Sequence, residues 1–181
     1  MRNIAFVTAL AIGLGIAASV ALPYGPAADA QAQRGAPPSR AALTYVAKAG
    51  AADLYEIESS RIALRRARRP AVREFAQMLI ADHSRTTAQV AAAARADGID
   101  PPPPMLEPAQ RTMIRQLSRA GNQGFDQAYL NQQVTAHQQA LSLHRNQARS
   151  GAGDDLRRVA AAAVPVIEGH LSQARRLARS R

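Results

Sequence analysis

Pro70-Ala71-Val72-Arg73-Glu74-Phe75-Ala76-Gln77-Met78-Leu79-Ile80-Ala81-Asp82-His83 is the stretch that decides the fold. Val72, Phe75, Ala76, Leu79, His83 and, two turns on, Val90 recur at three-and-four spacing, the period of one helix face. Proline suits the first turn, where its missing N–H is no loss, and Gly98 suits the C′ position that ends a helix. The stripe is apolar except for one imidazole, so a histidine is expected inside.

Working outward, a helix is predicted upstream from about Ala41 to Ala67. Leu54, Ile57, Ile62 and Leu64 are its expected apolar side, while Ala52, Ser59 and Ala63 share a small-residue face with Glu56. Downstream, Pro101 to Pro104 should be extended. A short amphipathic helix follows from about Pro108 to Ala120, with Met113, Ile114 and Leu117 inward. Gly121 and Gly124 punctuate the next turn. A third long helix is predicted from about Phe125 to Arg149, carrying Phe125, Tyr129, Val134, His137, Leu141 and His144 on one side. Gly151 and Gly153 make a hairpin. The fourth runs from about Asp154 to Arg179, carrying Leu156, Val159, Ala163, Val166, His170, Ala174 and Leu177. Asp154 and Asp155 suit its positive N-terminal end, and Arg175, Arg176 and Arg179 its other end. Pro165 should kink it or displace a backbone bond. Two tight hairpins joined by a segment spanning residues 98–124 predict an all-α, ferritin-like four-helix bundle whose long crossover contains a short extra helix.

Composition agrees. Aromatics make up 4% of the 181 residues and Trp is absent, which argues against a β-sandwich or barrel. With no Cys, disulfide frameworks, thiolate metal sites and cysteine nucleophiles are excluded. The net charge is +10, and Lys48 is the only lysine.

Residues 1–30 read as a secretory signal peptide. Arg2 is the positive n-region, Ile4 to Leu22 an uncharged apolar run, and Ala28-Asp29-Ala30 a small-residue cleavage site. The run is long enough to be a retained membrane helix instead, but Pro23 ends it and small residues follow where cleavage needs them. Cleavage would remove one basic and one acidic residue, so +10 is kept. Residues 31–39 are expected to be a disordered tether and 40–181 the bundle domain. The product should be exported, periplasmic or outer-membrane associated, with no transmembrane span once the leader is removed.

The chemistry-bearing residues lie on the helix stripes. Glu56 precedes the first hairpin by about as many residues as His83 follows it. At ~1.5 Å rise per residue the two meet at one level. His137 and His170 bracket the second hairpin in the same way, while His144 lies one heptad nearer that turn. Glu56, His83, His137 and His170 are thus candidate metal ligands on a mid-bundle layer. Fe, Zn, Cu or Mn are the ions such donors suit. A buried Glu–His polar network without metal is the alternative. Glu56, on the small-residue face, is preferred over Glu58 as the inward acid. The Glu-x-x-His pairs of carboxylate-bridged di-iron bundles are missing: Ile80 and Ile167 stand where the acids would be. No phosphate loop or nucleophile elbow is present.

Arg61, Arg65, Arg66, Arg68, Arg69 and Arg73 surround the first hairpin, and Arg145, Arg149, Arg157 and Arg158 the second. They are either a solvated surface or a site for anionic envelope surfaces. No aromatics are interleaved with them, and export is expected, so nucleic acid is not an expected partner.

Tyr55-Glu56-Ile57-Glu58-Ser59-Ser60-Arg61-Ile62-Ala63-Leu64, Val72 to His83, Phe125-Asp126-Gln127-Ala128-Tyr129-Leu130 with His137, and Pro165 with His170 resemble the exported bacterial family known as domain of unknown function 4142. The resemblance covers about residues 41–178. It implies a ferritin-like bundle in the periplasm or outer-membrane fraction. Its motif positions fall on Glu56, Glu58, Asp82, His83, His137 and His170, and Ser60 stands where relatives often carry Gly. Three functions remain in view: a non-enzymatic exported bundle with an envelope or stress-related role, a metal-binding or redox protein using the Glu/His layer, and a binder of anionic envelope surfaces.

Overall fold

The computed structural model describes residues 37–180. The expected leader, and the expected tether up to residue 36, lie outside the described residues. Residues 37–39 are exposed and have no regular structure. Five helices follow: α1 Arg40–Arg66, α2 Pro70–Ala96, α3 Pro108–Arg119, α4 Phe125–Ser150 and α5 Asp154–Arg179.

The helix ends are fixed by local chemistry. The Ser39 hydroxyl accepts from the Ala42 N–H at 3.1 Å and opens α1. Pro70 and Pro108 occupy first turns, and the Gln110 side chain accepts from the Glu107 N–H at 2.7 Å in a capping box. Gly98 closes α2 with φ +76°, while Ile99 N–H reaches back to Ala94 O at 2.8 Å.

Two aspartates tie the bundle ends together across the chain. Asp126 of α4 accepts from Arg68 N–H at 3.0 Å and Arg69 N–H at 2.9 Å, gripping the first hairpin. Asp97, past the end of α2, accepts from Asp155 N–H at 3.2 Å and Leu156 N–H at 2.8 Å. It caps α5 from a distance, where the adjoining Gly153 has no side chain to do so. These contacts fix the topology. α4 starts beside the first hairpin and α2 ends beside the second, so the segment between them travels the length of the bundle. α1 packs on α2 and α4, and α5 packs on α4 and α2, every neighbour antiparallel. The helix α3 lies over α1 and α4. This is the ferritin-like all-α architecture that the two hairpins and the long connection predict.

Apolar packing is divided along the axis. One cluster joins Ala63, Val72, Phe75, Leu79, Leu117, Phe125 and Tyr129 near the first hairpin. A second joins Tyr45, Val46, Val90, Ala94, Leu156 and Ala160 near the other end. Burying one such Phe or Leu contributes roughly 1.5–3 kcal/mol. A third joins Ala140, Leu141, Ala163, Ile167 and Leu171 of α4 and α5. Between the first two, the buried polar side chains are Asp53, Glu56, Ser59, Ser60, His83, Gln133, His137 and His170.

Two expected faces differ from the structure. The inward side of α1 is not Leu54, Ile57, Ile62 and Leu64, of which Leu64 is 36% exposed. It is Tyr45, Val46, Ala49, Asp53, Glu56, Ser59, Ser60 and Ala63. The aliphatics flank this face because the polar layer needs the axis-facing positions. In α5, Ile167 is buried where Val166 was expected, and Val166 is 43% exposed. The inward row runs Leu156, Ala160, Ala163, Ile167, His170, Leu171, Ala174. Pro165 lies inside an uninterrupted helix on its exposed side, so the Ala161 carbonyl it leaves free is beside water.

Candidate metal centre

Each long helix supplies one member of the central layer: Glu56 from α1, His83 from α2, His137 from α4 and His170 from α5. Their side chains are 1%, 3%, 0% and 6% exposed. The three imidazoles form a near-equilateral triangle, with ring centroids 5.5 Å (His83–His137), 5.4 Å (His83–His170) and 5.4 Å (His137–His170) apart. One nitrogen from each ring can be chosen so that all three lie within 4.8 Å of one another. Glu56 Oε2 lies 2.7 Å from His83 Nε2, and Oε1 lies 3.4 Å from His137 Nδ1. The level-matching read from the hairpins therefore brings these four side chains together. Glu58 is half-buried and outside the cluster. His144 is buried but apart, with Nδ1 3.2 Å from the Tyr45 hydroxyl.

Each ring has a partner on its outer side. His83 Nδ1 lies 2.8 Å from Asp53 Oδ1, whose other oxygen accepts from the Thr87 hydroxyl at 2.9 Å. His137 Nδ1 lies 2.9 Å from the Gln133 carbonyl, and His170 Nε2 3.0 Å from Asp82 Oδ2. These partners are acceptors, so the outer nitrogens are the N–H positions. That leaves His137 Nε2 and His170 Nδ1 as inward lone pairs, whereas His83 Nε2, 2.7 Å from Glu56 Oε2, faces an acid on its inner side as well.

Those inner atoms, with both Glu56 oxygens and Gln133 Oε1, are buried and have no hydrogen-bond partner among the described residues. His83 Nε2 and Glu56 Oε2 approach to 2.7 Å but are not aligned as donor and acceptor. The Gln133 amide orientation follows from its neighbours. The Ser59 hydroxyl donates to the Glu56 carbonyl at 3.1 Å, so Gln133 must donate to Ser59 Oγ, at 2.8 Å, through Nε2. Its oxygen is left over. Apart from the His83 ring, the interior thus holds acceptors with no donor. Leaving such groups unmatched costs roughly 1–3 kcal/mol each.

Burial and neighbouring charge divide the titrations. Burial pushes Glu56 toward its neutral form, but His137, His83 and His170 together outweigh it, and the carboxyl falls to about 2. Burial also disfavours charge on His83, yet Glu56 and Asp53 hold it up at about 10. For His137 and His170 burial dominates and lowers both, His170 to about 4. Burial raises Asp53 despite the imidazole beside it. One ring therefore takes a proton between two acids, while two rings stay neutral and keep their lone pairs.

Asp53, Thr87 and Gln133 were not expected at the site, Ser59 was expected only on the small-residue face of Glu56, and Asp82 only as a motif position. Two signals were there. Asp53 lies three residues before Glu56, and Gln133 four before His137, each on the face of its partner.

The model of the family described as "Domain of unknown function (DUF4142)" matches residues 26–177. The chain belongs to the DUF4142 family. Among curated proteins none matches this DUF4142 chain in sequence. Two solved structures share its fold. A DUF305 fragment from Deinococcus radiodurans superposes with TM-score 0.67 at 17% identity, covering 80% of this chain and 100% of that one. A structure titled CopM in the Cu(I)-bound form gives TM-score 0.62 at 15% identity, covering 75% of this chain and 93% of that one.

Much of the arginine in this DUF4142 bundle is engaged internally. Arg66 holds the Leu117, Ser118 and Ala120 carbonyls at the end of α3, and its guanidinium lies 4.7 Å from the Phe125 ring centroid. Arg69 binds the Leu177 carbonyl, and Arg73 those of Ala67 and Arg68. Arg145 pairs with Glu168, Arg157 with Asp154 and Arg158 with Asp155. No helix among the described residues is long and apolar enough to cross a membrane.

Proposed function

We propose that this chain is an exported bundle that holds one divalent transition-metal ion on Glu56, His83, His137 and His170, and that it sequesters the ion rather than catalysing a reaction. The observation that carries this reading is a buried set in which unpartnered acceptors outnumber donors. A proton on His83 offsets part of the Glu56 charge but leaves His137 Nε2, His170 Nδ1 and Gln133 Oε1 unmatched. A cation in place of the His83 proton could take one nitrogen from each of the three rings, which lie within 4.8 Å of one another, with the Glu56 carboxylate beside it. The outer bonds to Asp53, the Gln133 carbonyl and Asp82 are the kind that orient ligating histidines.

Three imidazoles and a carboxylate, with no thiolate in the chain, suit Zn, Cu(II), Fe or Mn in the divalent state. The CopM structure is titled as its Cu(I)-bound form, which supports metal carriage by a bundle of this shape though not the charge of the ion. The leader-like first 30 residues support export, and a periplasmic or outer-membrane setting, where scarce or toxic ions are met, fits an envelope or stress-related role.

Metal analysis of untagged protein tests the reading. About one equivalent of a transition metal is expected after incubation with Fe, Zn, Cu and Mn in turn. It should be lost on changing any one of the three histidines. No stoichiometric ion under any of these conditions overturns it.

A further inference from the structure

A site this deep needs a way in, and exposure is graded along only one of the four ligands. Glu56, His83 and His137 are 1%, 3% and 0% exposed, whereas His170 is 6% exposed and its partner Asp82 is 25% exposed. Outward from the layer the contacts form a chain. His170 Nε2 meets Asp82 Oδ2 at 3.0 Å, and Asp82 Oδ1 accepts from Arg85 Nη1 at 3.1 Å. Arg85 is 67% exposed. The neighbouring α5 backbone at Gly169 is open, with nothing within 4 Å of where a Cβ would stand.

Resting on the metal reading above, we infer that the seam between α2 and α5 is the ion's entrance, with Asp82 as the capture ligand that hands the ion to His170 and Arg85 as the latch on Asp82. The electrostatics require such a device. A cation approaches a chain of net charge +10, so a local carboxylate has to draw it in. The Arg85–Asp82 pair is a solvent-exposed contact one turn apart on a helix. Such pairs are weak in water, so the latch opens readily. With Arg85 displaced, Asp82 presents one oxygen to solvent while the other still touches the ring that reaches the layer. His170 then needs only a change of ring orientation to pass the ion inward.

Asp82 also orients His170, and a merely orienting residue would change affinity. An entrance residue changes the barrier, and a barrier is crossed in both directions. The test is stopped-flow uptake of Co(II), followed by its visible absorption bands, with release measured into excess chelator. Asp82→Asn keeps an oxygen acceptor for His170 Nε2–H and removes the charge. Uptake and release should both slow by about tenfold, with Kd little changed. Arg85→Ala, on an exposed side chain that folding does not need, should speed both.

Unchanged rates in both variants overturn the entrance. So does a rise in Kd carried by release alone, which would make Asp82 an orienting residue only. The competing route is the cleft of about 480 Å³ between α1, α3 and α4, lined in part by Ala52, Tyr55, Met113 and Ala136. Slowing by Ala136→Phe, with Asp82→Asn silent, would move the entrance there. Failure of the wild type to bind Co(II) at equilibrium is a separate result and removes the metal reading itself.

Discussion

Asp53 Oδ1 lies 2.8 Å from His83 Nδ1, one helical turn before the Glu56 carboxylate that approaches the other nitrogen of the same ring. Two acids of one α1 face thus flank one imidazole of α2, and they do different work. Glu56 faces the triangle, whereas Asp53 holds the ring from behind with Thr87 fixing its second oxygen.

Asp53→Ala is therefore expected to weaken metal binding without removing a ligand. Loss of such an outer partner typically costs about 10–100-fold in affinity. Asp53→Asn should lose less, because an amide oxygen still accepts from Nδ1–H. Competition titration against a chelator of known affinity measures both. Equal affinity for wild type and Asp53→Ala would make the Asp53 contact incidental.

The three layer histidines should behave as one unit and His144 as another. The rings of His83, His137 and His170 meet at 5.4–5.5 Å, while His144 stacks edge-on against Tyr45 at 5.6 Å. Substitution to Leu at any layer position removes the common centre, so a second substitution there costs less than the first. Coupling of about 0.5–3 kcal/mol is expected among the three in thermal or urea unfolding of the metal-loaded protein. His144→Leu should add to each of them independently. Coupling near zero across all the layer pairs would dissolve the unit.

The layer was legible in part, and the reason lies in what hydrophobic periodicity can see. On α2 the stripe Val72, Phe75, Ala76, Leu79, His83 and Val90 is buried throughout. There the inward face is apolar and one histidine stands out. On α1 the inward face carries Asp53, Glu56, Ser59 and Ser60, so the aliphatic residues pointed to the wrong side. The repeat of polar residues at 53, 56, 59 and 60 has the same three-and-four period, but a search for apolar stripes passes over it. On α5, alanines fill so much of the helix that Val166 and Ile167 differ by one position and little else. The outer partners were not legible as such. A backbone carbonyl such as that of Gln133 carries no sequence signal, and Asp82 could equally have been a solvated acid.

Acidity should unfold the metal-free protein in a window set by buried neutral histidine. Burial lowers His144 from 6.5 to about 4. Its folded value lies below its unfolded one, so the unfolded chain binds the extra proton. Stability from this group is full above about pH 6.5, falls as pH drops toward 4, and then levels. The total is of the order of 3 kcal/mol. His83 works in the opposite sense at higher pH. Its folded value of about 10 lies above the ordinary 6.5, so its contribution is complete below 6.5 and is lost as pH rises through 10. Stability of the metal-free form should therefore peak near neutrality. His144→Gln, which keeps a polar partner for the Tyr45 hydroxyl, should flatten the acid limb by about one proton and leave the alkaline limb alone. An acid limb unchanged in that variant in urea titrations at pH 4–7 would contradict the assignment.

Asp97 and Gly153 make the last prediction, which concerns the far end of the bundle. Gly153 has φ +87°, and a Cβ there would fall 2.2 Å from Asp97 Oδ2, the oxygen that accepts from Leu156 N–H. Gly98 has a similar φ of +76°, but a Cβ there would meet nothing within 4 Å. Both Gly→Ala changes strain the backbone, by about 1–3 kcal/mol, and Gly153 the more, because its ψ of 123° lies outside the left-handed helical region that a non-glycine residue can reach. Only Gly153→Ala also displaces the carboxylate that caps α5, which adds about 0.5–2 kcal/mol. The urea midpoint should therefore fall further for Gly153→Ala than for Gly98→Ala. In an Asp97→Ala background the excess should shrink by the share of the cap, because the cap is already gone. An excess that is undiminished without Asp97 would show that Asp97 does not hold the start of α5.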